Sequence, residues 1–132
     1  MAASPVLADS SFYIRLMRQG QDPLRALALA AGTRDLAVCG VVRCEVGRAL
    51  RQPKVRQQFH SVWDVMVNVP TDNRLWEEAE QTLWELDRKG TILPLTDALI
   101  ACSARRIGAV VLTFDSHFSR FPRLRVTDRL DF

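Results

Sequence analysis

Four acidic residues stand out by where they fall in the chain. Asp9, Glu45 and Asp115 each follow a short apolar run of strand character, and Asp97 stands in the first turn of a helical pattern. In an open parallel sheet the carboxyl ends of the strands share one edge, so carboxylates placed in this way converge from distant segments. Gathered carboxylates repel one another and raise each other's pKa, and a cation relieves that repulsion. Hard oxygen ligands suit Mg2+ or Mn2+, which keep several waters, activate one as a nucleophile and stabilise the leaving oxygen of a phosphodiester. That chemistry needs no catalytic histidine. Ser11, two residues after Asp9, and Thr113, two before Asp115, put hydroxyls on the same edge. They can bond a carboxylate or a metal-held water, or simply cap strand ends. Singly, each acid is explained as a turn former, and Asp97 as a helix cap. Only their shared placement is informative.

The elements that must position these residues alternate apolar runs with helical periodicity. Val6-Leu7-Ala8 reads as a first strand that stops at Asp9, followed by a short helix carrying Phe12, Ile14, Leu16 and Met17. Asp22-Pro23 reads as a cap and first helical position, opening a helix over Leu24 to Ala31 that Gly32 ends. Leu36 to Val42 (LAVCGVV) has the continuous apolar character of a strand buried on both faces, with Glu45 just beyond it. Glu45, Arg48, Ala49 and Gln52 continue at helical spacing, and Val55, Phe59, Val62 and Trp63 form a second amphipathic helix after Pro53. Val65 to Val69 reads as a third strand. Thr71-Asp72 then caps a long helix with Leu75, Trp76, Ala79, Leu83, Trp84 and Leu86 on its apolar stripe, ended by Gly90. Thr96 or Asp97 opens a helix rich in small residues that stops at Gly108. Ala109 to Thr113 is a strand, Ser116 to Phe121 a polar turn region, and Leu124 to Val126 a last strand. The pattern predicts an α/β fold: a three-layer α/β/α sandwich around a mostly parallel sheet of about five strands, with residues 1–132 as one domain.

Composition excludes several classes. Among 132 residues, 48% are hydrophobic and 25% charged, as in an average globular chain and unlike disordered or collagenous sequences. No apolar run is long enough to span a bilayer, and the start of the chain lacks the basic and apolar regions of a signal peptide, so a soluble, cytoplasmic protein is expected. Cys39, Cys44 and Cys102 lack the spacing of a zinc knuckle or thioredoxin-like motif. A zinc site of Cys39, Cys44, His60 and His117 fits no standard pattern. There is no GxGxxG after the first strand and no GxxxxGK[ST], which argues against nucleotide cofactors. Asp9 is followed by Ser10-Ser11 rather than by a second Asp two residues on, against an aspartyl-phosphate mechanism, and neither histidine sits in a nucleophile-elbow context.

Charge is unevenly distributed. Arg15 to His60 carries nine basic residues against three acidic ones, Pro70 to Gly90 six acidic against three basic, and Arg105 to Arg129 six basic against two acidic. Sixteen of the eighteen basic residues are Arg, whose planar fork suits bidentate phosphate contacts. Arg43 and Arg48, flanking Glu45, are the candidate phosphate contacts for a polyanion, ahead of Arg15 and Arg18. Their bland alternative is a surface ion pair.

The motifs together resemble a known family. Asp9-Ser10-Ser11, the mid-chain Glu45, Leu93-Pro94-Leu95-Thr96-Asp97-Ala98-Leu99-Ile100-Ala101 and Leu112-Thr113-Phe114-Asp115-Ser116-His117-Phe118 resemble, in order and spacing, the PIN domain and particularly the VapC-like toxins. The resemblance covers nearly the whole chain. It implies a metal-dependent endoribonuclease, usually the toxin of a toxin–antitoxin pair, with Asp9, Glu45, Asp97 and Asp115 as the catalytic, metal-binding quartet. It also implies an antitoxin partner and a homodimer, and Trp63, Trp76 and Trp84 are more aromatic mass than so small a core readily hides. The competing reading is a PIN-fold module that binds RNA or protein without cutting. One departure is His117, where many members place a further acid. As a ligand it favours Mn2+ over Mg2+; otherwise it caps the turn or meets RNA phosphate.

Overall fold

In a computed structural model, residues 3–129 are described. The expectations for the first residues, the unexported start among them, lie partly outside that range. Five strands form one sheet: β1 (Val6–Ala8), β2 (Leu36–Cys39), β3 (Val67–Val69), β4 (Val110–Leu112) and β5 (Val126–Thr127). Their order is β3-β2-β1-β4-β5 and every pairing is parallel, with Leu7 opposite Ala37 on one side and Val111 on the other. The interior strands are apolar on both faces because helices cover both. β1, with no side chain more than 2% exposed, is the centre of the core.

The crossovers are α1 (Ser10–Arg18) and α2 (Pro23–Ala31) between β1 and β2, and α3 (Gly40–Gly47) and α4 (Pro53–Asp64) between β2 and β3. Then α5 (Asn73–Arg88) and α6 (Leu95–Ile107) carry the chain from β3 back across the sheet to β4. Successive right-handed crossovers in opposite directions along the sheet put these two groups of helices on opposite faces, giving the three-layer sandwich. The direction reverses between β1 and β4. The carboxyl ends of those two neighbours therefore open the crevice in which a doubly wound sheet holds its ligand.

Four local readings change, one of them the last strand, which is Val126–Thr127 and not Leu124 to Val126. The run Leu36 to Val42 is not one strand: β2 ends at Cys39, and Gly40-Val41-Val42 is the first turn of α3. Val42 and Val46 of that helix are fully buried, so an apolar strand runs into an apolar helix without a change in hydropathy. Glu45 accordingly lies within α3 instead of opening it. Likewise α6 begins at Leu95, before Thr96, and β3 is limited to Val67–Val69. Among the tryptophans, Trp63 is fully buried and bonded through Nε1 to the Tyr13 hydroxyl at 3.2 Å, whereas Trp76 and Trp84 on α5 are 46% and 53% exposed.

Candidate metal centre

Asp9 ends β1 and begins α1. As the N-cap of α1 it accepts a hydrogen bond from Phe12 N at 3.1 Å on Oδ1, so its cap role is real but incomplete as an explanation. Oδ1 also accepts from the Ser11 hydroxyl at 2.8 Å, and Oδ2 from the Thr113 hydroxyl, 104 residues away, at 2.8 Å. Both hydroxyls in turn accept backbone N–H groups from the loop after β4: Ser11 from Phe114 N at 3.2 Å and Thr113 from Asp115 N at 2.9 Å. The two hydroxyls thus tie the ends of β1 and β4 together around one carboxylate. Asp9 is only 3% exposed. Burial pushes its carboxyl above the ordinary value more than the bonds from Thr113, Ser11 and Phe12 N pull it down, and the charge on Asp115 pushes the same way.

Asp97 reaches the site from α6. The helix is preceded by Pro94 and has no side-chain cap bond, so the cap that would account for Asp97 is absent. Its Oδ2 instead lies 3.0 Å from His117 Nδ1, which is also 3.4 Å from Asp115 Oδ1. Nδ1 is thus the ring nitrogen that faces both carboxylates. Burial raises the Asp97 carboxyl first of all; the His117 bond and charge lower it, and the charges on Asp115 and Glu45 raise it again. Asp115 caps the 3₁₀ turn Ser116–Arg120 by accepting from His117 N at 2.9 Å.

Glu45 is held by a residue the sequence did not single out. The Ser10 hydroxyl donates to Glu45 Oε1 at 2.6 Å, joining the start of α1 to α3. Its place directly after Asp9, where both Ser10 and Ser11 follow the strand, was the available clue. Asp97, Asp115 and His117 offer ligand atoms within 4.8 Å of one another, while Asp9 joins them through the Thr113–Asp115 N bridge and Glu45 through its field on Asp97. Two carboxylate oxygens and one ring nitrogen at that spacing, beside two further acids, are a donor set that fits a divalent cation. Among the described residues the cysteines contribute nothing here: Cys39 and Cys102 are buried, and only Cys44 is exposed.

Arg43 and Arg48 diverge. Arg43 donates to Asp64 at 2.9 Å and to Asn68 at 3.2 Å, and its guanidinium lies over the Trp63 ring, 5.4 Å from the centroid. Arg48, at the C-cap of α3, is exposed. No described helix is long and apolar enough to cross a membrane.

Comparison with known proteins bears on this geometry directly. No curated protein matches the chain significantly. Among solved structures, a chain of DNA-bound VapBC from Salmonella typhimurium superimposes with a TM-score of 0.76 at 20% identity, over 95% of this chain and 98% of that one. VapBC2 from Rickettsia felis, bound to a promoter DNA fragment, gives 0.71 at 21% identity over 93% and 97%. VapC20 from Mycobacterium tuberculosis, a sarcin-ricin loop cleaving toxin, gives 0.66 at 19% identity over 91% and 98%. At such identities the likeness is one of fold. The PIN domain family model matches residues 6–124, a span that begins at β1 and takes in all four acids and His117, and the chain belongs to the PIN domain family.

Proposed function

We propose that the protein is a metal-dependent endoribonuclease, the toxin of a toxin–antitoxin pair, with residues 1–132 acting as one domain. The observation that carries this reading is the grouping of Asp97, Asp115 and His117, with Asp9 at the end of β1 feeling the charge of Asp115 and Asp97 that of Glu45. Burial holds two of them, Asp9 and Asp97, above the ordinary carboxylate value, and neighbouring acids add to it, a cost that a cation at this edge would offset. A bound Mg2+ or Mn2+ would lower the pKa of an attacking water and take up charge on the leaving oxygen. The chain's own residues do the rest. Asp9, fixed on both oxygens, sets the position of the negative charge. Ser10 fixes one oxygen of Glu45, and Asp97 and Asp115 supply the more open carboxylates. His117 sets its Nδ1 between those two and, unprotonated there, would offer the cation a nitrogen.

The antitoxin follows from the likeness to VapBC complexes, and self-association from Trp76 and Trp84, which α5 leaves half exposed. The test is cleavage of single-stranded RNA by the purified chain. Cleavage should stop in EDTA and return with Mn2+ or Mg2+. RNA binding without cleavage in either metal would identify a non-cutting module. Light scattering should show a species twice the monomer mass, and a monomer alone at micromolar concentration would remove the dimer.

A further inference from the structure

A groove of about 440 Å³ lies between α3 and α4, lined by Arg43, Cys44, Gly47, Arg48, Arg56 and His60. Its charge is one-sided: residues 43–60 contain five basic residues and one acidic one, Glu45. Arg43 on its wall is committed to Asp64. Among the described residues, no side-chain hydrogen bond or ion pair engages Arg48 or Arg56, and both are exposed. Lys54 and Arg56 stand in the first turn of α4, where the helix dipole disfavours cations, so local helix stability is not what places them there. His60, also on the groove wall, is half-buried, its ring tilted 43° to that of Trp63 with the centroids 5.9 Å apart.

The groove shares α3 with Glu45: Cys44 on its wall is the residue next to that carboxylate. Arg48 follows Glu45 by three residues, so the two share a face of the turn that ends α3. We propose that this groove binds the phosphate backbone of single-stranded RNA on its way to the carboxylates, with Arg48 and Arg56 as the phosphate contacts and His60 as a stacking surface for a base. The inference rests on the ribonuclease reading for the identity of the polymer, but not on cleavage. Planar guanidiniums beside a half-buried aromatic ring suit a polymer that alternates phosphates with flat bases better than an acidic peptide, which offers charge without rings.

The test uses the intact chain in EDTA, so that binding is read whether or not the chain can cut. The probe is a fluorescent single-stranded RNA, titrated between about 50 and about 200 mM salt. The double variant Arg48→Ala/Arg56→Ala should bind at least about tenfold more weakly and flatten the salt slope by about 1.4, which is about 0.7 for each phosphate no longer neutralised. Arg88→Ala/Lys89→Ala, on the far end of α5, should match the unaltered protein. Independently of any variant, RNA should slow alkylation of Cys44, the one exposed cysteine, which lines the groove. Unchanged affinity and slope in the double variant, with Cys44 unprotected, would overturn the proposal even if the chain cleaves RNA. Protection of Cys44 by polyglutamate and not by RNA would reassign the groove to an acidic protein segment.

Discussion

The two halves of the carboxylate edge are built differently. Asp9 is buried and accepts hydrogen bonds from Ser11, Thr113 and Phe12 N, and the hydroxyls that serve it also hold the backbone after β4. Asp97 and Asp115 are bridged by one imidazole on a 3₁₀ turn, with the His117 side chain 43% exposed. Moving Asp9 means breaking the joint between β1 and β4, whereas freeing Asp97 requires only that His117 turn away. On the proposed metal-site reading, the first half would be a rigid reference for charge and the second the place where ligands exchange.

The sharpest break of this comparison is Asp9→Asn. Asparagine keeps a cap oxygen and removes the charge, so RNA cleavage should fall by more than about a hundredfold while the circular dichroism spectrum is retained. Retained cleavage would show that the rigid half is structural only. Thr113→Val preserves shape but strips the bond to Asp9 and the acceptor for Asp115 N. Cleavage should fall by about ten- to a hundredfold and denaturant unfolding should report a loss of about 1–3 kcal/mol. His117→Asp probes the exchangeable half: an oxygen in place of nitrogen should shift the Mn2+ to Mg2+ activity ratio toward Mg2+ by several-fold, and an unchanged ratio would leave His117 as a turn residue.

The smallest effect concerns stability against pH. Asp9 and Asp97 are held above the ordinary carboxylate value near 3.8, so the metal-free folded chain binds their protons more tightly than the unfolded chain does. Their contribution to stability is complete below that ordinary value and is lost as pH rises through the folded values. Asp97→Asn removes its share of the loss while still accepting from His117. Its metal-free Tm should exceed that of the unaltered chain by a few degrees at about pH 7, and the difference should close below about pH 4. A lower Tm at neutral pH would mean that Asp97 is a net stabiliser and not a strained ligand.

Much of this carboxylate edge was legible because acids that end parallel strands share one sheet edge, and strands announce themselves by apolar runs. Asp9 and Asp115 were found that way, and Ser11 and Thr113 by their spacing from them. Glu45 was found by a run that proved to be half strand and half helix, because burial makes Val38 and Val42 alike in sequence although one is in β2 and the other in α3. What sequence could not supply was pairing between side chains far apart in the chain. Ser10 on Glu45, Arg43 on Asp64 and His117 between two aspartates each depend on rotamers chosen by packing. The same holds for Trp63, whose burial beneath Arg43 and beside Tyr13 left only two tryptophans for a surface role.

The most direct test of the account is Mn2+ binding to the metal-free chain, followed by electron paramagnetic resonance without RNA present. Saturable binding is expected, weakened by at least about tenfold in Asp97→Asn and in Asp115→Asn and unaffected in Arg88→Ala/Lys89→Ala. Absence of saturable binding, or an affinity in the two aspartate variants equal to that of the unaltered chain, would contradict it.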